Sequence, residues 1–115
     1  MVIKINDNKF KVRVARTPKE TSTGMMGKTF DSTFNGMLFD MGEGRHCFWM
    51  KNCITSLDII FIDNGEITKI HHNCPPCKTK DCKNYCGTGE LVLELEGGSC
   101  EDLGIEPGDT VEYLF

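Results

Sequence analysis

Apolar and polar residues alternate near both ends of the chain and crowd together in its middle. Val2-Ile3-Lys4-Ile5 and Phe10-Lys11-Val12-Arg13-Val14-Ala15 follow the period of two expected of half-buried strands. Asn6-Asp7-Asn8 between them carries turn chemistry, so the two runs predict a hairpin. Thr17-Pro18-Lys19-Glu20 then has the form of a helix start. Thr17 can accept from an orphan backbone N–H, Pro18 suits the first helical position, and Glu20 can close a capping box. The helix is expected to end near Met26, with Gly27 past its end. Gly24 inside it costs about 1 kcal/mol against Ala, so its use would be close approach to a neighbouring element. Residues 28–35 read as a loop, and Gly36-Met37-Leu38-Phe39-Asp40-Met41 returns to strand character.

The densest apolar region is Phe48-Trp49-Met50-Lys51-Asn52 with Leu57-Asp58-Ile59-Ile60-Phe61-Ile62-Asp63, and it holds the sole tryptophan. It predicts two extended segments, a central strand pair broken at residues 52–56. Ile59 to Ile62, apolar on both faces, should be the most buried strand. Asn64-Gly65 is a strong short hairpin signal, which folds Ile67 to His71 back on Asp58 to Ile62. From His72 to Glu90 aliphatic residues almost vanish, while Pro75-Pro76, Gly87, Gly89 and four cysteines appear. A loop of that length and composition needs a staple to be ordered. Leu91 to Glu96 resumes as a strand. Ser99 can cap a short helix that Gly104 ends, Pro107-Gly108 is a turn, and Thr110 to Phe115 is a last strand. These elements predict one domain over residues 1–115. Its class is α+β, mainly antiparallel, a small sheet curling toward a barrel with two short helices.

Composition narrows the function classes. A chain of 115 residues supports one core and one main site. The formal net charge of −4, with no run of Lys or Arg, argues against a sequence-independent grip on phosphates, so no nucleic-acid partner is expected. No apolar run approaches the roughly 20 residues of a membrane helix, and the opening residues alternate like a strand instead of a signal peptide. The expectation is a soluble, cytoplasmic protein. Seven cysteines are many for that compartment, and their odd number forbids complete internal pairing.

Gly24-Met25-Met26, Gly36-Met37-Leu38-Phe39, Phe48-Trp49-Met50-Lys51-Asn52, Leu57 to Ile62, Leu93-Glu94-Leu95, Gly97-Gly98, Gly104-Ile105 and Gly108-Asp109 resemble, in order, the motifs of the Domain of Unknown Function 192 family. The resemblance covers nearly the whole chain. It implies a compact β-rich α+β fold and no particular activity. Where the family usually has threonine after the asparagine and proline before the leucine-aspartate, this chain has Cys53 and Ser56. The family's two late cysteines and tyrosine look like Cys77, Cys82 and Tyr85, with Cys74 and Cys86 added outside that pair. Many relatives look exported, whereas this chain does not.

Two sites follow. Cys74, Cys77, Cys82 and Cys86 are spaced to reach one tetrahedral ion, and Lys78, Lys80 and Lys83 would favour thiolates, so zinc is the first candidate cofactor. The competing reading is two nested disulfides, Cys77–Cys82 and Cys74–Cys86, the resemblance's pair plus one bridge. The second site is a cleft beside Trp49 where Lys51, Asn52 and Asp58 would converge, suited to a small polar or anionic ligand. In the plainer reading of Asp58, its carboxylate accepts backbone N–H groups of the 52–56 loop. His71 and His72 read as solvated strand-end residues before they read as ligands, and most methionines read as core filler. The preferred function is a small binding or accessory module. The alternatives are a hydrolase or lyase using Lys51 and Asp58, with Cys53 the only nearby nucleophile, and a metal or redox protein acting through the cysteine loop.

Overall fold

The computed structural model describes residues 1–114. The turns that the sequence marks are the turns that form. β1 (Val2–Ile5) and β2 (Asn8–Ala15) make the N-terminal hairpin, with Ile5 opposite Asn8. β5 (Leu57–Asp63) and β6 (Glu66–Cys74) make the second, with Asp63 opposite Glu66. Asn64 and Gly65 both take positive φ, 50° and 71°, as a tight two-residue hairpin turn requires.

The capping box is present at α1 (Pro18–Thr23): the Glu20 amide donates to the Thr17 hydroxyl, and the Thr17 amide donates to the Glu20 carboxylate. The helix stops sooner than the sequence suggests. Gly24, with φ of 44°, is its C-cap and not an interior residue. A Cβ there would lie 3.1 Å from the Phe39 ring, so the close approach expected of Gly24 is present.

β3 (Gly36–Asp40), β8 (Leu91–Glu96) and β9 (Val111–Leu114) complete a seven-stranded sheet in the order β6-β5-β8-β3-β2-β1-β9. All its pairs are antiparallel except β2 with β3, which the α1 connection makes parallel. The sheet curls until the starts of its edge strands, β6 and β9, touch. The Ile67 amide donates to the Asp109 carbonyl, the Val111 amide to the Gly65 carbonyl, and Glu66 bridges Thr110. This is the expected α+β fold, a half-barrel of strands with two short helices.

Strand alternation divides the core in two. Ile60, Ile62, Leu93, Leu95 and Leu38 point to the inner face with Ile3, Ile5, Phe10 and Val111. Leu57, Ile59, Phe61, Val92, Phe39 and Met37 point to the other face. Both faces of β5 are therefore buried, as its run of aliphatic residues predicts.

The outer face is covered by a separate two-stranded ribbon, β4 (Arg45–Trp49) with β7 (Asn84–Thr88). This corrects the expected pairing of the two middle segments, because β4 leaves the sheet in which β5 sits. Phe48 and Tyr85, opposite each other in the ribbon, turn toward the sheet. Phe48 meets Phe39 and Phe61 edge-on at 5.0 and 6.1 Å. Gly87 also lies on Phe61, where a Cβ would come within 2.5 Å of the ring. The cysteine-rich segment is thus partly β6 and β7, with the loop confined to residues 75–83. It does contribute a core residue, buried Tyr85.

Among the described residues no helix is long and apolar enough to cross a membrane. The last strand is observed over Val111–Leu114; the expectation that it reaches Phe115 lies outside the described residues.

Candidate functional site

The structure separates the residues expected to converge beside Trp49. Asp58 is fully buried on the inner face, at the end of the half-barrel closed by α2 (Ser99–Leu103). Its Oδ1 accepts from the amides of Asn73 (2.8 Å) and Gly98 (3.1 Å), and its Oδ2 from the amide of Cys100 (2.8 Å). The carboxylate does accept backbone N–H groups, but those of the β6 end and the α2 start, not those of the 52–56 loop. Alternation is the reason: Asp58 shares a face with Ile60 and Ile62, while that loop lies over the opposite one.

Asp58 also takes the capping role expected of Ser99. No side chain caps α2 locally, and the Ser99 hydroxyl donates to the Glu96 carbonyl instead.

Trp49 and Lys51 stay together, with the ammonium 5.4 Å from the indole centre. Asn52 is exposed, in the left-handed conformation (φ of 60°). Its carbonyl accepts from the Gly27 amide, and its amide donates to the Cys77 carbonyl. It fixes the crossing loop by its backbone.

The cysteine set is likewise divided. Cys77 and Cys82 form a disulfide, as one reading expected. Cys86 is bonded to Cys47 and not to Cys74, which corrects the second expected bridge. Cys47 and Cys86 are directly opposite in the ribbon, and both side chains lie on its outer surface, because their neighbours Phe48 and Tyr85 turn inward. Cys74 ends β6 beneath the ribbon, buried and unpaired, where burial pushes its thiol up to about 11. With four sulfurs committed to bridges and Cys74 buried apart, the residues do not form the expected zinc tetrad. Among the described residues no three of His, Cys, Asp and Glu are grouped to hold a metal ion.

The His71 ring donates from Nε2 to the Cys86 carbonyl (2.8 Å), and it lies between Phe61 and Tyr85. His72 lies 4.0 Å from the Glu101 carboxylate. His46 contacts the Gly42 carbonyl at 2.6 Å.

A cavity of about 340 Å³ opens between the end of α1, the ribbon and the outer face of the sheet. Met25, Met26 and Met41 wall it with Phe39, Phe48 and Trp49, while Thr21, Ser22 and Thr23 supply hydroxyls along the helix side. Cys47, Cys53 and Glu94 complete the lining. Met25, Met37 and Met50 are buried as expected of core filler, but Met26 and Met41 are only half-buried and face this cavity.

Glu94 is the residue that sequence reasoning missed. It is 3% exposed, sits in β8 on the same face as Val92, and has no hydrogen-bond partner among the described residues. Burial raises its carboxyl from 4.5 to about 8. Cys53 lies beside it, and burial lifts that thiol to about 11, helped by the nearby carboxylate and opposed by Lys28.

A signal for Glu94 existed. Ile59-Ile60-Phe61-Ile62 predicts that both faces of the sheet are covered, so a glutamate within the neighbouring strand has no solvent-facing side to occupy.

The raised value makes a stability prediction. A carboxyl near 8 when folded and 4.5 when unfolded keeps its proton in the native state over a range where the unfolded chain releases it. Stability from this group is full below the unfolded value and is lost as pH rises through the folded one, by up to about 1.4 kcal/mol per pH unit. Glu94→Gln should therefore match the parent at acid pH and exceed it near pH 8 by a few kcal/mol. Urea midpoints measured across the range test this; parallel curves for the two proteins would show that Glu94 titrates normally.

Comparisons with known proteins agree with this architecture. A family model described as "Uncharacterized ACR" matches residues 1–113. A protein of unknown function from Novosphingobium aromaticivorans is similar at 31% identity and a TM-score of 0.86, over 97% of this chain and 84% of that one. A Sinorhizobium meliloti protein, proposed to be a transcription regulator, is similar at 30% identity and a TM-score of 0.85, over 96% and 91%. No curated protein matches the chain.

Proposed function

Because the chain belongs to the DUF192 family, described as uncharacterised, we propose its function from the pocket itself: a binding module for a small, largely apolar molecule held over Glu94. The observation that carries this reading is an apolar-walled cavity of about 340 Å³ with one buried, unpartnered carboxyl in its lining. A buried polar group without a partner costs folding energy, and a ligand that satisfies it recovers that cost on binding. Few polar groups in an apolar wall is the usual composition of a small-molecule site.

Catalysis has less support. The Cys53 thiol, raised to about 11, is a poor nucleophile at neutral pH. Asp58, fully buried on the inner face and held by three backbone amides, shares no cleft with Lys51. A regulator of transcription, the role proposed for the Sinorhizobium protein, would need another surface, since net charge of −4 opposes direct phosphate contact. The two disulfides favour an oxidising compartment over the cytoplasm first expected.

The test uses the six methionines as reporters. With methionine methyl groups isotopically labelled, a small-molecule library is screened by NMR. A true ligand shifts Met25, Met26 and Met41 while leaving Met1 and Met37 in place. Hits that move only Met1, or a library that moves none, would count against the pocket.

A further inference from the structure

We propose that the occupant of this pocket is an organic cation, a primary or N-methylated alkylammonium, with its nitrogen against the Glu94 carboxylate and its alkyl chain along the methionine and aromatic wall. The inference rests on the pocket reading above and specifies its ligand class.

The argument begins with the charges that line the cavity. Glu94 is the one acidic or basic side chain among the lining residues. Lys51 lies beyond Trp49, its ammonium over the indole, and does not line the space. Lys28 acts on Cys53 from the segment after α1 and is also outside the lining, its ammonium bonded to the Gly24 carbonyl (2.9 Å). The anionic ligand expected from Lys51 would therefore meet a carboxyl with no cation to pair it, whereas a cation would meet its partner.

The wall favours the same charge. Phe39, Phe48 and Trp49 line the cavity together, and aromatic faces attract ammonium groups, more strongly where water is excluded. Met25, Met26 and Met41 add polarizable, adaptable surface for a chain. Thr21 to Thr23 bring hydroxyl groups to the helix side of the cavity, where remaining ammonium protons can be accepted.

Proton balance follows from the groups that face Glu94. Cys53 faces it from the loop after β4 and Cys74 from the end of β6, both with thiols raised to about 11. Asp58 lies across the sheet on the inner face. None of these supplies a positive charge, so the empty pocket holds Glu94 protonated below about 8. An arriving ammonium stabilises the carboxylate, and the displaced proton leaves to solvent. Binding thus releases one proton per ligand below that range and none above it, and ammonium affinity increases with pH until the carboxyl is ionised.

The experiment titrates the intact chain with n-hexylammonium, 1-hexanol and hexanoate, following Trp49, the sole tryptophan, by its emission. Calorimetry in two buffers of different ionisation enthalpy counts the protons. The expected result is hexylammonium binding roughly tenfold or more tighter than hexanol, hexanoate weakest, and a proton released at pH below 8. Glu94→Gln should remove the amine's advantage over hexanol and the proton release. Hexanol binding as tightly as the amine, or an amine preference that survives in Glu94→Gln, overturns the cation inference and leaves the pocket reading standing. No response of Trp49 to any of the three overturns both.

Discussion

Asp58→Ala is expected to lower the unfolding free energy by roughly 3–5 kcal/mol, the range for stripping a shared acceptor from several buried backbone amides at once. Three backbone amides converge on this carboxylate, and two of them, Gly98 and Cys100, open α2. The first amides of a helix have no partner within it, and α2, five residues long, has little else to hold it. Cys100 is the buried residue by which it docks on the inner core. Without the carboxylate, the amides of Gly98 and Cys100 lose their acceptor in a dry interior, and α2 loses its anchor to the half-barrel.

Asp58→Asn sorts charge from geometry. It can keep Oδ1 as acceptor for Asn73 and Gly98, but it sets an NH₂ against the Cys100 amide, so its loss should fall between the parent and Asp58→Ala. Urea unfolding with tryptophan emission and far-UV circular dichroism measures the series. A loss below about 1 kcal/mol in Asp58→Ala, the level of a single ordinary hydrogen bond, would mean that water replaces the carboxylate and that Asp58 does not hold α2.

Asp58 and Glu94 show how much of this protein was legible in its sequence. Each is one acidic residue inside an apolar strand, and nothing local separates them. The local devices read correctly: the Thr17 and Glu20 capping box, the Asn64-Gly65 turn, the two-sided burial of Ile59 to Ile62. These depend on residues within a few positions of one another, so spacing and residue type decide them. What failed depended on distant partners. The amides that claim Asp58 come in part from residues 40 and 42 positions away, while Glu94 lies under a ribbon whose two strands are far apart in the chain. Phe48-Trp49-Met50, at the end of β4, looks as apolar as β5, so the two segments read as neighbours in one sheet. The loop through Asn52 carries β4 to the outside, where Trp49 is 45% exposed, and no short-range signal marks that crossing. The cysteines failed for the same reason. Spacing among Cys74, Cys77, Cys82 and Cys86 is local, and it finds Cys77–Cys82, but the partner of Cys86 lies on the opposite strand of the ribbon.

That distant bridge carries the second large expected effect. Replacing Cys47 and Cys86 together by serine should cost up to about 4 kcal/mol, against about 2 kcal/mol for Cys77 and Cys82, from the chain entropy released when loops spanning 39 and 5 residues are no longer closed in the unfolded state. The difference has a structural side. The Cys47–Cys86 bridge ties the two strands of the ribbon, and the ribbon contributes Cys47, Phe48 and Trp49 to the cavity; the other bridge lies in the loop before β7. Loss of the first should therefore weaken ligand binding as well as stability, whereas loss of the second should leave the pocket nearly as it was. Serine sits acceptably at both outer positions, since Cys47 is exposed and Cys86 half-buried, so the ribbon variant creates no core defect. Peptide mapping of the unreduced parent should first recover a fragment pair joined through Cys47 and Cys86, with Cys53, Cys74 and Cys100 as free thiols. Denaturant midpoints of the two double variants then give the ranking. A fragment joining Cys74 to Cys86 would refute the bridge across the ribbon, and equal losses in the two variants would show that the ribbon is held by its packing on Phe39 and Phe61 and not by its disulfide.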